Sequence, residues 1–353
     1  MRKIFLHLGY PKTGTSSIQV FHRENAEALA RLGFYVPAVG RGRHGAHHTL
    51  TRTLAGQPLP PHAALSDADI IRELAEAPAD CALISSEMLT GVLANPAPAE
   101  RLLGCLRATG AEIILVMYVR NQTQMLNSNY SQQVKSFRGR GEFGAHVARV
   151  LATDASYGYS KWIDIARGGG VELRARPFSE AVRREGVIED YLKTVGCPRA
   201  DTLVVPERVN ESAGPFTVEA ALRLQHWAAD KFGPFTLQQA DAGKRMLREA
   251  VESLEIEEPR YCGLDDTQAR DIEAAFRENN DGFAQQMWRS DWQSVFGADI
   301  GQHFEPNDYR RTSVPRSMRR PLRALMARMR PEIRAMLNRP RFAAREDWNR
   351  VPA

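Results

Sequence analysis

The chain has few cysteines, no long apolar run and no internal repeat. Its four cysteines lie far apart among 353 residues and form no Cys-x-x-Cys pair. This spacing excludes a disulfide framework and a cysteine-rich metal site, and it favours a reduced cytoplasm. No segment approaches the roughly 18 consecutive apolar residues of a membrane-spanning helix. The sequence therefore predicts a globular protein, in line with 43% hydrophobic and 25% charged residues.

The positive charge is concentrated at the C-terminal end. Residues 309–353 contain 13 arginines and 3 acids, a net charge of +10, so the rest of the chain carries −5 of the total of +5. The body of the chain is thus mildly acidic. The overall charge is therefore poor evidence that this body binds nucleic acid.

Apolar runs alternate with helical patterns in the first half of the chain. The predicted strands are residues 3–9, 34–40, 81–86, 112–119 and 171–178. The predicted helices are residues 15–32 (closed by Gly33), 65–77, 97–109, 122–136 (with Asn121 as N-cap and Gln124 as its capping-box partner), 217–231, 240–253 and 266–288. The first run, KIFLHLG, is interrupted too soon for a signal peptide and predicts a strand.

This alternation indicates βαβ units. The predicted fold class is α/β: a three-layer, mostly parallel sheet with a P-loop-like nucleotide site and a helical C-terminal portion. One domain is expected over residues 1–308, with an α/β core at about 1–212 and a helical portion at 213–308; a basic tail follows at 309–353. Such sheets bind ligands at the carboxyl ends of their strands, so the residues that follow the strands are candidates for function.

Most of the functional information lies in the loop after the first strand, GYPKTGTSS at residues 9–17. A loop between a strand and a helix presents backbone amides and the positive end of the helix dipole to an anion. Gly14 lets a ligand approach the backbone, and Lys12 adds a positive charge. The hydroxyl groups are those of Thr13, Thr15, Ser16 and Ser17. The combination predicts a phosphate site.

The loop differs from a Walker A loop in its lysine. Gly9 and Gly14 have the Walker spacing, but Thr15 stands where the Walker lysine belongs, and the loop lysine is Lys12. The strand at 81–86 also ends without the aspartate that usually holds Mg²⁺. A P-loop kinase or NTPase is therefore the alternative enzyme, and a degenerate nucleotide-binding protein is the alternative without catalysis.

The string GYPKTGTSS resembles the 5′-phosphosulfate loop of sulfotransferases that use 3′-phosphoadenosine 5′-phosphosulfate (PAPS). A second string, VRNQTQMLNSNY at 119–130, is similar to the 3′-phosphate motif of this family, with Arg120 at a strand end and Ser128 eight residues on. Two helical turns bring Ser128 back toward the face near Arg120, and an arginine with a hydroxyl suits a phosphate dianion. Weaker similarity extends over residues 1–212, where ERVNES (207–212) is similar to bacterial carbohydrate-type members.

The resemblance implies transfer of a sulfuryl group from PAPS to a hydroxyl or amine of an acceptor, either a glycan or glycolipid or a small hydroxylated molecule. Lys12 would stabilise the leaving oxygen, and no metal is required. The implied nucleotide-binding residues are Lys12, Thr13, Gly14, Thr15, Ser16, Ser17, Arg120 and Ser128. The family's adenine-stacking tryptophan is missing near Ser17, which leaves the adenine contact unassigned and argues against the small-phenol subgroup.

The base that would take the acceptor's proton has two candidates. Glu87 follows the strand at 81–86, where the resemblance places a His or Glu. The other candidate is a histidine of RGRHGAHH, namely His44, His47 or His48, with His48 preferred. A capping carboxylate and a solvated loop are the structural alternatives. The evidence for a three-histidine metal site is weak, because no carboxylate or cysteine lies at ligand spacing.

Other polar and aromatic residues each have a functional and a structural interpretation. Arg41, Arg43 and Arg52 could hold an anionic group of the acceptor or be solvated loop charges. The aromatic residues that could stack on a sugar, although core packing is preferred, are Tyr157, Tyr159 and Trp162. His7 is expected to be a hydrogen-bonded core residue.

The tail contains an amphipathic pattern. One stripe holds Leu322, Leu325, Met326, Met329, Ile333, Met336 and Leu337, and arginines fill the other face. Pro321 fits a first helical position, and Pro331 is expected to kink or split the helix. The pattern fits a membrane-surface helix at the inner face, an arm docked on the acidic body, or contact with a second subunit. Nucleic acid is the least supported partner, because few aromatic residues are interleaved.

Overall fold

Five parallel strands form the central sheet in the computed structural model, which describes residues 2–59, 65–152, 157–206 and 213–338. They are β1 (Lys3–Leu8), β2 (Phe34–Tyr35), β3 (Cys81–Ser86), β4 (Glu112–Val119) and β5 (Glu172–Pro177). Their order is β2-β3-β1-β4-β5, with parallel pairing throughout. Because parallel strands end at the same edge, the segments after β1, β3 and β4 meet there.

Helices cover both faces of the sheet and make up the C-terminal part. The helices before residue 200 are α1 (Thr15–Glu24), α2 (Ala26–Arg31), α3 (His48–Leu54), α4 (Asp67–Glu76), α5 (Met88–Leu93), α6 (Pro96–Arg107), α7 (Gln122–Lys135), α8 (Phe143–Ala152), α9 (Lys161–Gly168), α10 (Glu180–Glu185) and α11 (Val187–Val195). The later helices are α12 (Pro215–Phe232), α13 (Leu237–Glu252), α14 (Asp266–Trp288), α15 (Trp292–Ile300), α16 (Tyr309–Thr312) and α17 (Arg316–Leu337).

Strand β4 shows why the fold has three layers. Ile113 and Leu115 pack into one core, with residues of α5, α6 and α9. Ile114 and Val116 pack on the opposite face, with residues of α1 and α11. Successive side chains of a strand point to opposite faces, so an uninterrupted apolar run requires cover on both sides. The predicted α/β class with a three-layer, parallel sheet is confirmed; the expected domain boundaries stay predictions.

The prediction of one helix over residues 15–32 is wrong. The helix breaks at Asn25, which separates α1 from α2. The Asn25 amide group donates to the carbonyl oxygens of Phe21 and Val204, at 2.9 and 2.8 Å. Its side-chain oxygen accepts the N–H of Val204 at 2.7 Å. These bonds compete with helix continuation, and the partner lies 179 residues away in sequence, beyond the reach of a local pattern.

The tail helix α17 packs on the body of the protein. Its buried stripe is Leu322, Leu325, Met326, Met329 and Ile333, each at most 5% exposed, in one core with residues of α12 and α13. The helix starts at Arg316 and runs through both Pro321 and Pro331, so Pro331 does not split it. Of the alternatives for the apolar stripe, docking on the body is therefore the arrangement seen for residues 316–337. Residues 207–212 and 339–353 lie outside the described part.

Within the described ranges, no helix combines the length and the apolar character needed to span a bilayer.

We predict that Met329→Ala lowers the free energy of unfolding by about 2–5 kcal/mol, because Met329 is 0% exposed in the core between α17, α12 and α13. Chemical denaturation monitored by circular dichroism measures it. The control is Arg328→Ala on the exposed side of the same helix, which should change stability by no more than about 0.5 kcal/mol. Equal stability of the two variants would contradict the docking of α17.

Candidate active site

The loop between β1 and α1 has an unusual backbone. Gly14 is the N-cap of α1 with φ 82°, and Lys12 also has a positive φ, 64°. A left-handed conformation costs a non-glycine residue about 1–2 kcal/mol, and such strain is concentrated at functional sites. The hydroxyl groups of Thr13 and Thr15 both donate to the carbonyl oxygen of Tyr10, at 2.7 and 3.3 Å. These two hydroxyls therefore hold the loop in shape.

The start of α1 presents backbone N–H groups to its surroundings. The N–H groups of Ser17 and Ile18 donate to the carbonyl oxygen of Gly14, at 3.0 and 3.2 Å. The N–H groups of residues 13–16 donate to no acceptor in the described part of the chain. Ser16 is exposed and Ser17 is half-buried. Free amides at the positive end of a helix form an anion-binding cradle.

Arg120 directly follows β4 and contacts this loop. Its Nη1 donates to the carbonyl oxygen of Lys12 at 3.0 Å. Nε and Nη2 donate to Oε1 of Gln124, both at 3.3 Å, and the guanidinium lies 5.8 Å from the ring centroid of Phe178. The two elements that the sequence suggested for the two phosphates of one nucleotide are therefore in direct contact.

Helix α7 supplies the wall beside Lys12. The Lys12 amino group donates to Oε1 of Gln132 at 3.0 Å. Ser128 lies one helical turn before Gln132 and so shares its face of α7; it is half-buried. Lys12, Arg120 and Ser128 thus lie along the same side of the α7 helix.

Tyr159 positions Arg120 and was not recognised as such from the sequence. Its hydroxyl donates to the carbonyl oxygen of Arg120 at 2.6 Å and accepts the N–H of Arg120 at 3.3 Å. The ring is fully buried and stacks on Trp292 with centroids 5.8 Å apart. No local signal could reveal this contact, because the hydroxyl reaches the backbone of a residue 39 positions away.

Gln124 is not the capping-box partner that the sequence predicted. Asn121 caps α7 alone, by accepting the N–H of Thr123 at 2.9 Å. The Gln124 amide group instead donates to Oδ1 of Asp299 at 2.7 Å, while its oxygen accepts from Arg120. Gln124 does not cap α7 because its side chain links Arg120 to the buried carboxylate of Asp299, which Arg183 also contacts.

The site has an excess of positive charge. Burial, followed by the charges of Lys135, Arg120 and Lys244, lowers the pKa of Lys12 to about 7. Burial and the neighbouring Arg183 lower the pKa of Arg120 to about 10, and burial and Lys244 lower the pKa of Lys135. Cations that depress one another's pKa in a partly buried site are stabilised by an anion among them.

Glu87 and His48, which the sequence offered as alternative bases, form a pair. His48 Nε2 lies 3.3 Å from Glu87 Oε2, and His48 Nδ1 lies 2.9 Å from the hydroxyl of Ser86. Gln19 also donates to Glu87 Oε2, at 3.0 Å. Burial lowers the pKa of His48, with Glu87 opposing and Arg52 reinforcing this shift. Both side chains remain accessible, 42% and 43% exposed.

Glu87 also borders the β1–α1 loop. A Cβ placed on Gly9 would lie only 2.9 Å from Cγ of Glu87 and 2.7 Å from Cγ2 of Thr15. Gly9 therefore lets the segment after β3 approach the loop after β1. The candidate base and the anion cradle meet at the carboxyl edge of two adjacent strands.

The other histidines are placed differently. His47 is buried, and its Nε2 and Nδ1 contact the carbonyl oxygen of Pro37 and the N–H of Ser85, at 3.0 and 3.2 Å. His44 is exposed. His7 is buried with Nδ1 2.8 Å from the hydroxyl of Ser85, as expected for a core residue. No group of three His, Cys, Asp or Glu side chains able to hold a metal occurs in the described ranges.

The remaining candidates are mostly structural. Trp162, like Tyr159, is fully buried, and Tyr157 packs against the same core, which confirms core packing as the preferred interpretation. Arg52 is buried and donates to the sulfur of Met88 at 3.2 Å. Arg43 is exposed.

Comparisons with protein-family models and with curated proteins find no match for the chain. Among solved structures it is similar to the crystal structure of a sulfotransferase from Alicyclobacillus acidocaldarius, with 16% identity and a TM-score of 0.36 over 65% of this chain and 93% of that chain.

We predict that anion binding at the loop weakens as the pH rises through about 7, because the protonated fraction of Lys12 falls. If only the protonated form binds, the dissociation constant for adenosine 3′,5′-bisphosphate rises about tenfold between pH 6 and 8. Calorimetric titration measures this. In Lys12→Arg the charge persists over this range, so its affinity should not fall with pH; the phosphates of the ligand, with a second pKa near 6, gain charge equally in both titrations. The same pH dependence of affinity in the unmodified chain and in Lys12→Arg would contradict the assignment of Lys12 to the anion site.

Proposed function

We propose that the chain is a sulfotransferase that moves a sulfuryl group from PAPS to a hydroxyl or amine of an acceptor, with a glycan or glycolipid as the preferred class. The observation that carries this proposal is the 3.0 Å hydrogen bond from Arg120 to the Lys12 carbonyl. It brings the 5′-phosphosulfate loop and the 3′-phosphate element of the proposed site within the span of one nucleotide.

The donor would be held from both sides. The amides of residues 13–16 would take the 5′-phosphosulfate, with Gly14 allowing close approach. Arg120 and the hydroxyl of Ser128 would take the 3′-phosphate. Gln132 orients the Lys12 amino group along α7. The Walker alternative gains nothing from this geometry, because the loop lysine precedes the helix and Thr15 donates within the loop.

The transfer step is an in-line displacement. The acceptor oxygen forms a bond to sulfur while the bond from sulfur to the bridging phosphate oxygen breaks, and adenosine 3′,5′-bisphosphate leaves. Charge develops on that bridging oxygen, where the Lys12 ammonium stabilises it. The proton of the acceptor hydroxyl passes to the base.

The geometry favours Glu87 as this base. Both ring nitrogens of His48 have partners, Ser86 on one side and Glu87 on the other. Gln19 and His48 both contact Oε2 of Glu87, so Oε1 would be the oxygen that takes the proton. His48 would then be a positioning residue that holds the carboxylate.

Ligand choice tests the proposal most directly. We expect adenosine 3′,5′-bisphosphate to bind far more tightly than ATP with Mg²⁺ in calorimetric titrations. Arg120→Ala should weaken the bisphosphate by about 10- to 100-fold, because charge-assisted hydrogen bonds are lost. Lys12→Ala should weaken the bisphosphate by about tenfold, as loss of the Lys12 charge does at high pH, and should reduce transfer from labelled PAPS to a glycan panel far more sharply. A preference for ATP, or full activity in both variants, would overturn the proposal.

The choice of base has its own test. Glu87→Gln should reduce turnover by about 10²- to 10⁴-fold at unchanged nucleotide affinity. His48→Asn should reduce it less and shift the pH profile, because the carboxylate stays but loses a partner. The measurement is the pH dependence of transfer from labelled PAPS. The reverse ranking would make His48 the base.

A further inference from the structure

The exposed arginines of α17 are arranged on one side of the helix. The helix contains seven arginines and one acid, Glu332. At 3.6 residues per turn, six of the arginines fall within an arc of about 100° and extend over about 27 Å. We call this set the arginine stripe: Arg316, Arg319, Arg320, Arg323, Arg330 and Arg334, all exposed. Arg328 and Glu332 lie off the stripe and pair with each other at 3.7 Å.

The stripe flanks the docked face of the helix. Its centre lies about 110° around the helix from the centre of the buried apolar stripe, not opposite to it. At its C-terminal end the stripe leans toward α12: the guanidinium groups of Arg330 and Arg334 lie 5.7 and 6.0 Å from the ring centroid of Trp227. Lys231 of α12 approaches the same ring at 5.8 Å. The C-terminal part of the stripe therefore borders the groove between α17 and α12.

This placement distinguishes between classes of anionic partner. The apolar face of α17 is buried in the core, so it cannot enter a bilayer. A row of positive charges matches a linear anionic polymer better than the flat surface of a membrane. Single-stranded nucleic acid requires aromatic faces on which bases stack. The half-buried Trp227 is already surrounded by three cations, Lys231, Arg330 and Arg334.

We propose that the arginine stripe binds a linear sulfated or carboxylated glycan that lies along α17 beside α12. A guanidinium group can donate two parallel hydrogen bonds to two oxygens of a carboxylate or of a sulfate ester. The stripe arginines occupy successive turns of about 5.4 Å, with one turn between Arg323 and Arg330 left without any, and this rise is close to the length of one sugar ring. Because α17 is fixed by its buried stripe, the row of charges is preorganised. This site is separate from the nucleotide site, and the proposal does not depend on sulfuryl transfer.

The test uses the full chain and a size-defined, fluorescent heparin oligosaccharide, with binding followed by anisotropy at 0.15 M salt. The stripe variant is Arg316→Glu, Arg320→Glu and Arg323→Glu. These three residues are exposed, and the core contacts of α17 remain. The matched control reverses three exposed arginines elsewhere: Arg72→Glu, Arg270→Glu and Arg277→Glu. Both variants lower the formal charge of +5 by the same six units.

We expect the stripe variant to bind the oligosaccharide at least about tenfold more weakly, and the control to stay within about twofold of the unmodified chain. Binding should weaken with salt but stay constant between pH 6 and 8, because arginine keeps its charge. The neutral triple variant with glutamine at these positions should show an intermediate loss, and unchanged circular dichroism and bisphosphate affinity show that the fold is intact.

Several outcomes would overturn the proposal. Equal loss in the stripe variant and the control would mean that binding follows net charge. Absence of oligosaccharide binding would remove the site. Stronger stripe-dependent binding to phosphatidylglycerol vesicles, or to single-stranded DNA of equal charge, would assign the stripe to a membrane or to nucleic acid instead.

Discussion

The candidate site depends on one half-buried guanidinium, that of Arg120, which contacts the backbone of a strained loop. Arg120 donates to the carbonyl of Lys12 and is held in turn by Gln124 and Tyr159. Without this contact the loop after β1 and the helix after β4 would be two separate anion-binding elements. With it they become two walls of one cleft. The sheet order, which places β1 directly beside β4, is what makes the contact possible.

The charges of the cleft are divided between two strands. On the β4 side, burial and then the neighbouring cations lower the pKa of Lys12 to about 7, so that Lys12 loses part of its charge near neutral pH. On the β3 side, Glu87 is supported by Gln19 and His48. A carboxylate and a guanidinium in direct contact would neutralise each other. Glu87 follows β3 and Arg120 follows β4, on opposite sides of β1, so the candidate base and this cation stay apart.

The sequence predicts the parts of this molecule that are local. The β4 strand was predicted at its observed bounds, because a β-branched run buried on both faces has a strong pattern. The sequence also predicts that the β1–α1 loop and Arg120 lie at strand ends, where such folds bind ligands; their role in binding stays a prediction. The short helices α3 and α5 were missed because six or seven residues carry too little periodicity.

What the sequence could not predict depends on partners distant in the chain. The break at Asn25, the role of Tyr159 and the pairing of Glu87 with His48 each require the folded arrangement. The same holds for α17: its amphipathic pattern is compatible with several surfaces, and only packing shows which one covers it. The one-sided arrangement of its arginines could be read from spacing, but its relation to α12 could not.

The left-handed backbone at Lys12 lowers the stability of the fold at a residue of the proposed site. Asparagine tolerates this conformation better than lysine does, and it would also remove a charge that its neighbours repel. Selection for stability alone would therefore favour asparagine over lysine at position 12. In the proposed function, this position carries a less stable backbone because the transfer step needs a cation there.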